Sequence, residues 1–258
     1  MDPILVARDG PVLRVALNRP DVRNAFDEDV IASLTRLAVS VADDRTVRAV
    51  VLSGSGKSFC SGADLAWMSK AIAYSHAENL RDAEDLARML EKLDTVPVPL
   101  IGRVHGAALG GGVGLVAVCD VVVAGTATVF GLSEVKLGIL PAVISPYVVR
   151  KIGVGAAREL FLTGSRFAAG RAREIGLVHE IVPEAELDTA VERRVRDVLS
   201  SGPRAIAAAK ALIRDVVDES PKDVIGLTTS TIAAHRVSPE GQEGIRAFLE
   251  KRKPKWAE

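Results

Sequence analysis

The 258-residue chain contains 48% hydrophobic residues, enough apolar surface for the core of one large domain or two smaller ones. Lys plus Arg and Asp plus Glu both number 33, and aromatic residues make up 4% of the chain, so the composition favours neither a nucleic acid nor an anionic membrane as a partner. The N-terminal residues lack an apolar signal segment, and the most apolar stretch is interrupted before it reaches membrane-spanning length, which predicts a cytoplasmic protein.

The first predicted elements alternate between strand and helix. Residues 12–17 alternate apolar and polar side chains, as in a β-strand, which we place at the edge of the fold. From Asp27 onward apolar residues recur at helical spacing, and acidic side chains in the first turn suit the positive end of a helix dipole. A short Val-rich strand follows at residues 48–52. A strand, a helix and a strand in this order predict a right-handed βαβ unit in a layered α/β domain.

Two glycine-containing segments invite nucleotide-binding interpretations, and both fail on spacing. GSGKS follows the second strand, but a P-loop needs a further glycine five residues before Gly56, where Val51 stands. A dinucleotide-binding fingerprint that starts at Gly110 would need its third glycine at Leu115. The sequence therefore predicts neither a nucleotide hydrolase nor a Rossmann domain.

The chain contains two cysteines, Cys60 and Cys119. They are too few for a disulfide framework and they do not have the spacing of metal ligands. We expect two reduced packing residues and no metal site.

The stretch from residue 104 to residue 140 carries the features that most suggest catalysis. A buried strand at residues 100–104 leads into Gly110, Gly111 and Gly112, where a ligand can approach the backbone because no β-carbon intervenes. A helix that opens at such a turn leaves N–H groups without intrahelical partners at the positive end of its dipole, where they can hold an oxyanion. One isolated carboxylate, Glu134, follows the next Val-rich strand.

The other predicted elements are mostly helical. Apolar residues at helical spacing predict a helix at 76–93 before the glycine turn. After that turn we expect a helix at 168–175 and a strand at 177–182, within a segment at 162–183 that resembles the family considered below. Beyond residue 183 helix follows helix, with Pro-containing breaks between them, and the predicted helices cover residues 187–199, 205–217, 224–234 and 239–251.

Four motifs resemble those of the enoyl-CoA hydratase/isomerase, or crotonase, superfamily and occur in the family's order across nearly the whole chain. They are SFCSGADL at 58–65, GAALGGG at 106–112, FGLSEVKLGILP at 130–141 and EGIRAFLEKRKPKW at 243–256. The resemblance implies the α/β crotonase fold, a spiral of ββα units over residues 1–183. A helical C-terminal subdomain for oligomerisation and completion of the CoA site would occupy residues 184–258.

The resemblance also implies an acyl-CoA thioester substrate and a role for specific residues. The backbone N–H groups of Ala63 and Gly111 would form an oxyanion hole for the thioester carbonyl, and Glu134 would be the catalytic acid and base. CoA enters as part of the substrate, so no separate cofactor is implied. The residues expected to line the CoA groove are Arg23, Ala25, Ser61, Ala63, Asp64, Leu65 and Gly111.

The family tail extends the expected site across a subunit boundary. There the residues that match Phe248 and Lys251 contact the adenine ring and the phosphates of CoA from the adjoining protomer. The resemblance therefore implies a homotrimer or a dimer of trimers, with Phe248 and Lys251 completing a neighbour's site.

Two departures from the family pattern bear on the reaction. Hydratases of the family typically use two glutamates, and the position of the first is occupied here by Gly114. Where many members have a PGAGG turn this chain reads PAVISP, and Val143, Ile144 and Tyr147 would add bulk near the acyl group. We expect position 114 still to face the site, without a group that can carry a proton.

The departures leave alternatives open. Hydration needs both a base for water and an acid for C2, whereas moving a double bond needs one shuttle base, so Gly114 favours a Δ3-Δ2-enoyl-CoA isomerase. SGADLAWM, LSEV and PAVISP resemble hydratases of branched or carboxylated enoyl-CoA, such as methylglutaconyl-CoA. We predict a hydratase, with the isomerase as the alternative. A non-catalytic acyl-CoA-binding or RNA-binding family member is the alternative from another class.

Overall fold

The structure, a computed structural model, describes residues 2–257 and consists of strands and helices that alternate in the first two thirds of the chain. The strands, in chain order, are β1 (Ile4–Asp9), β2 (Val12–Leu17), β3 (Ala49–Gly54), β4 (Leu100–Val104), β5 (Ala107–Leu109), β6 (Val121–Gly125), β7 (Val129–Gly131), β8 (Arg166–Ala168) and β9 (Glu180–Val182). The helices are α1 (Glu28–Asp43), α2 (Leu65–Ala73), α3 (His76–Thr95), α4 (Gly111–Val118), α5 (Ser145–Thr163), α6 (Ala169–Glu174), α7 (Leu187–Leu199), α8 (Pro203–Val216), α9 (Ile225–Val237) and α10 (Pro239–Leu249).

The strands form two sheets. The larger has the order β1-β2-β3-β4-β6-β9, and all its neighbours are parallel except β1 and β2. The smaller has the order β5-β7-β8, with β5 and β7 parallel and β7 and β8 antiparallel. The parallel pair β2 and β3, joined through α1, matches the predicted βαβ unit, and the α/β class is confirmed.

The edge position predicted for residues 12–17 is wrong, because β2 lies between β1 and β3. The edge strand on this side of the sheet is β1, whose residues are almost all exposed. An exposed edge strand needs no alternation of apolar and polar side chains, so the pattern that revealed β2 was absent from β1.

The larger sheet is covered on both faces, and its strands alternate between two hydrophobic clusters. Val50 and Leu52 join the main core, with α1, α3, α4 and α5, whereas Ala49 and Val51 join a second cluster with α7. Burial on both faces explains why β3 reads as a nearly continuous apolar run.

The helices after α7 bury far fewer of their residues than α7 does. Helices α8 and α9 bury none of their residues, and α10 buries only Ala247. Helix α7 packs directly on the sheet, while the predicted subdomain boundary at residue 183 stays a prediction. No helix within residues 2–257 combines the length and the hydropathy needed to cross a bilayer.

Two helices were absent from the sequence prediction. Helix α2 begins directly after the SGADL motif, where the side chain of Asp64 caps it. Helix α5 has Pro146 in its first turn and is kinked at Gly153, which has a φ of 75°. Proline and glycine are typical of breaks between helices, but Pro is tolerated in the first turn of a helix and Gly in a kink.

Candidate active site

Two separate segments of the chain contact the SGADL motif. An isolated bridge joins Phe26 to Ala63, and a second joins Cys60 to Ala108 of β5. The Phe26 N–H donates to the carbonyl of Gly62 over 2.7 Å, and the Leu109 N–H donates to the carbonyl of Cys60 over 2.9 Å. The motif is therefore held between the chain entering α1 and the chain entering the glycine turn.

The three consecutive glycines let α4 begin directly against this motif. Gly110 has a φ of 50°, in the left-handed region that favours glycine. A β-carbon on Gly111 would overlap the Phe26 ring at Cε2, and one on Gly112 would overlap the carbonyl oxygen of Cys60. The turn thus requires glycine at position 110 for its backbone conformation, and at positions 111 and 112 because neighbouring atoms leave no room for a side chain.

The predicted oxyanion-hole donors lie in these adjacent segments. Within residues 2–257 no hydrogen-bond acceptor is paired with the backbone N–H of Ala63 or of Gly111. Gly111 is the first residue of α4, so its N–H lacks an intrahelical partner. A β-carbon on Gly62 would lie 3.9 Å from the Cα of Gly110, which shows how closely the two segments approach. Two unpaired donors in neighbouring turns are what an oxyanion hole needs, and their role stays a prediction.

A cavity of about 170 Å³ opens beside these donors. Its lining is apolar except for one carboxylate, Glu134, which is the only ionisable side chain among the described lining residues. Those residues are Phe26, Ala63, Trp67, Leu86, Gly111, Glu134, Leu140, Pro141, Ala142, Val143 and Ile144.

Glu134 opens a short 3-10 turn, Glu134–Leu137, that follows β7. Its carboxylate lies against the glycine turn, since Oε1 would be 3.2 Å from a β-carbon on Gly110. Its Oε2 is buried without a hydrogen-bond partner in the part of the chain that the structure describes. Burial raises the pKa of Glu134 above its usual value of 4.5, because an apolar surrounding disfavours the charged form. A raised pKa suits a group that must both accept and return a proton near neutral pH.

A larger groove of about 720 Å³ lies on the other side of Ala63. Ala63 lines both the groove and the cavity, so the two lie side by side. Of the residues predicted to bind CoA, Gly111 lines the cavity, and six line the groove: Arg23, Ala25, Ser61, Ala63, Asp64 and Leu65. The structure therefore brings together the predicted residues from the first two thirds of the chain.

Asp64 lines the groove but its carboxylate is engaged within the protein. It accepts hydrogen bonds from the N–H groups of Ala66, at 2.8 Å, and Trp67, at 3.2 Å, at the start of α2. It also pairs with Arg19, with 3.1 Å between Oδ2 and Nη2. Burial raises the pKa of Asp64, but these hydrogen bonds and Arg19 outweigh it and hold the pKa below its usual value. Asp64 therefore shapes the groove, and its side chain is a helix cap.

Two further residues, Arg19 and Asn24, hold the segment that lines the groove, and neither was predicted from the sequence. Arg19 pairs with Asp27 as well as Asp64 and donates to the carbonyl of Ala25 over 2.7 Å. Asn24 is buried with a φ of 57°, and its amide donates to two carbonyls in the loop after β3. Asn is among the few residues that tolerate the left-handed region, which was the available signal.

The predicted contributors from the tail do not reach the groove of their own chain. Phe248 is 82% exposed, Lys251 is also exposed, and neither lines the groove or the cavity. The end of the tail instead folds back, where the Trp256 indole N–H donates to the carbonyl of Ser200 over 3.2 Å. A role for Phe248 and Lys251 in a neighbouring subunit stays a prediction.

Position 114 does not open onto the cavity. Gly114 is buried within α4 and is absent from the cavity lining, which contains Ile144. A β-carbon on Gly114 would overlap Cγ2 of Ile144. The expectation that position 114 faces the site directly therefore needs correction, because Ile144 separates it from the cavity.

Comparison with known proteins gives consistent similarities. A family model described as enoyl-CoA hydratase/isomerase matches residues 7–258. The structure of an enoyl-CoA hydratase from Shewanella pealeana is 40% identical, with a TM-score of 0.95 over 98% of this chain and 96% of that one. AtuE from Pseudomonas aeruginosa is 38% identical, with a TM-score of 0.96 over 99% of this chain and 100% of that one. Enoyl-CoA hydratase ACTT6 of Alternaria alternata is 36% identical over 210 residues, 81% of this chain and 68% of its own.

Proposed function

Because the chain belongs to the enoyl-CoA hydratase/isomerase family, we propose that it adds water to the double bond of a 2-enoyl-CoA thioester. One observation carries the proposal: a half-buried carboxylate, Glu134, is the single ionisable side chain among the described residues of an apolar cavity, and this cavity shares Ala63 with the groove. Family membership implies a thioester substrate, and the site supplies one acid/base group beside two N–H donors that have no acceptor within residues 2–257.

In the proposed reaction the thioester oxygen accepts hydrogen bonds from the N–H groups of Ala63 and Gly111. The Glu134 carboxylate removes a proton from a water molecule as its oxygen bonds to C3 of the substrate. The electrons of the double bond move to the thioester oxygen, where the two N–H donors stabilise the enolate. Glu134 then returns the proton to C2, and the neutral 3-hydroxyacyl thioester leaves with the enzyme unchanged.

Isomerisation of a 3-enoyl-CoA is the second candidate, because the described cavity lining contains one carboxylate only. In that reaction Glu134 takes a proton from C2 and returns it to C4, while the double bond moves to C2. The same N–H donors would stabilise the intermediate enolate. A single shuttle group suffices for this reaction, whereas hydration also requires room for water.

An assay of the purified protein separates the candidates. Hydration of crotonyl-CoA or 3-methylglutaconyl-CoA removes the ultraviolet absorbance of the conjugated thioester, whereas isomerisation of a 3-enoyl-CoA creates it. None of the described cavity-lining residues has a cationic side chain that could pair with the acyl carboxylate of 3-methylglutaconyl-CoA. We therefore expect crotonyl-CoA to be the better substrate of these two. Turnover of the 3-enoyl-CoA alone would favour the isomerase. Tight binding of all three without turnover would favour a non-catalytic acyl-CoA-binding protein.

The proposal includes assembly into a homotrimer or a dimer of trimers. Large apolar side chains on the C-terminal helices, or directly after α8 in the case of Val217, are exposed in the single chain: Ile213, Val217, Ile225, Leu227, Ile232, Val237, Ile245, Phe248 and Leu249. An apolar surface of this kind is typical of a protein interface. Light scattering of the full-length protein measures the number of subunits.

A further inference from the structure

Gly114 and Ile144 form a contact in which one residue leaves the space that the other fills. A β-carbon on Gly114 would overlap Cγ2 of Ile144 and lie 3.0 Å from its Cβ, whereas the next nearest atom, Cδ2 of Leu90, is 3.8 Å away. The obstacle at position 114 is therefore the side chain of Ile144. Gly114 and the PAVISP segment that contains Ile144, the two departures from the family pattern, are therefore in direct contact with each other.

Ile144 is held firmly in this position. It is 3% exposed and stands at the N-terminus of α5, where its carbonyl accepts the N–H of Val148 over 3.1 Å. The N–H of Ser145 donates to the carbonyl of Ala142 over 3.1 Å, which fixes the turn before the helix. A β-branched side chain on an anchored backbone has little rotamer freedom. We therefore expect the Ile144 side chain to stay in place when a longer substrate enters the cavity.

The other side of Ile144 faces the cavity that contains Glu134. We propose that Ile144, seated on Gly114, is the specificity-determining residue that closes the acyl cavity and restricts it to short acyl groups. A smaller residue at position 144 joins the space beside Gly114 to the cavity, which then accepts longer acyl chains. This inference rests on the proposed function for its kinetic test.

The kinetic test compares wild type with Ile144→Ala on crotonyl-CoA, 2-hexenoyl-CoA and 2-decenoyl-CoA. A methylene group in an apolar pocket discriminates by about tenfold or more, so the ratio of kcat/KM for decenoyl to crotonyl substrate should rise at least about tenfold. Val148→Ala is the matched control, because Val148 is buried in α5 but does not line the cavity. An unchanged ratio in Ile144→Ala, or an equal change in the control, overturns the proposal.

Two measurements do not depend on turnover. Calorimetric affinities for butyryl-CoA and decanoyl-CoA should shift towards the longer chain in Ile144→Ala, even if no enoyl-CoA is hydrated or isomerised. Gly114→Ala should lower Tm in the wild-type background and lower it less, or raise it, in the Ile144→Ala background. Absence of turnover with a shifted affinity would reject the proposed function and keep the role of Ile144. Equal Tm effects in both backgrounds, or unshifted affinities, would reject that role.

Discussion

Arg19 and Asp64 join two segments that line the groove, with 3.1 Å between Nη2 and Oδ2 and little exposure of the Asp64 side chain. Arg19 lies just after β2, and Asp64 caps α2. The ion pair therefore connects the start of a helix that contributes to the cavity with the segment that carries the predicted CoA-binding residue Arg23. Breaking it should affect both stability and CoA binding.

Asp64→Ala should lower the free energy of unfolding by about 1 kcal/mol or more, because a cap and an ion pair are lost together. KM for CoA thioesters should rise as α2 loosens. Asp64→Asn keeps an oxygen for the cap and should lose less stability than Asp64→Ala.

The stabilisation by Asp64 should depend on pH. Since the pKa of Asp64 is lowered in the folded protein, its contribution to the free energy of unfolding is present above the unfolded pKa and disappears as pH falls through the folded pKa. Glu28→Gln, which breaks an exposed ion pair between Glu28 of α1 and Lys70 of α2, is the control.

Denaturant titrations of the three variants at neutral and acidic pH measure these differences. If Asp64→Ala and Glu28→Gln lose equal stability, the cap at Asp64 contributes nothing beyond a surface ion pair.

Glu134→Gln should reduce turnover of the best substrate by about 100- to 10,000-fold, because the amide cannot accept a proton. The same change should raise Tm at neutral pH, since it removes the charge of a half-buried carboxylate whose buried Oε2 has no described partner. Glu219→Gln, at an exposed position, makes the same change in net charge and is the control. Turnover within about threefold of wild type would exclude Glu134 as the principal acid and base.

The pH dependence of Glu134 follows from its raised pKa. Only the ionised carboxylate accepts a proton from water, so kcat/KM should fall as pH falls through a value above the usual 4.5 of glutamate. For stability the sign is opposite: the contribution of Glu134 is present below its unfolded pKa and is lost as pH rises through the folded pKa. The Tm advantage of Glu134→Gln should therefore vanish at acidic pH. A constant advantage across the range would contradict a shifted pKa.

Sequence periodicity predicted most of the helices and strands, because α3, α7 and the inner strands have regular apolar patterns. The motifs and their order were predicted from the resemblance to the family. The groove residues were predictable because they cluster in two short motifs. The contact between Gly114 and Ile144 was not, since it depends on how α4 and α5 pack across a separation of 30 residues. The cap at Asp64 was likewise hidden, because the motif containing it is also a ligand-binding loop in the family.

Gly114→Glu tests whether the position of the missing carboxylate can be restored. In the wild-type background the new side chain would collide with Ile144, so we expect loss of folded protein or a large fall in Tm. In an Ile144→Gly background the obstacle is removed, and the double variant should recover folding. A second carboxylate near Glu134 should then raise the pKa of the pair, and the acidic limb of kcat/KM should shift upward. Equal Tm losses in the two backgrounds would exclude the collision with Ile144.

The C-terminal tail is predicted to complete the CoA site of a neighbouring subunit. Truncation after Gly241 should raise KM for CoA thioesters and weaken the oligomer, but it also removes the contact of Trp256 with Ser200 in the same chain. Phe248→Ala and Lys251→Gln are cleaner, because both side chains are exposed in the single chain and their loss should cost it little stability.

If the tail completes a neighbour's site, each substitution should raise KM for CoA thioesters while kcat changes little, since the reacting atoms lie elsewhere. The effect of Lys251→Gln should fade as ionic strength rises, because a charge pair with phosphate is screened by salt, whereas that of Phe248→Ala should persist. Sedimentation of each variant shows whether assembly is intact. A full-length protein that sediments as a monomer, with CoA affinity unaltered in both variants, would place Phe248 and Lys251 outside the site.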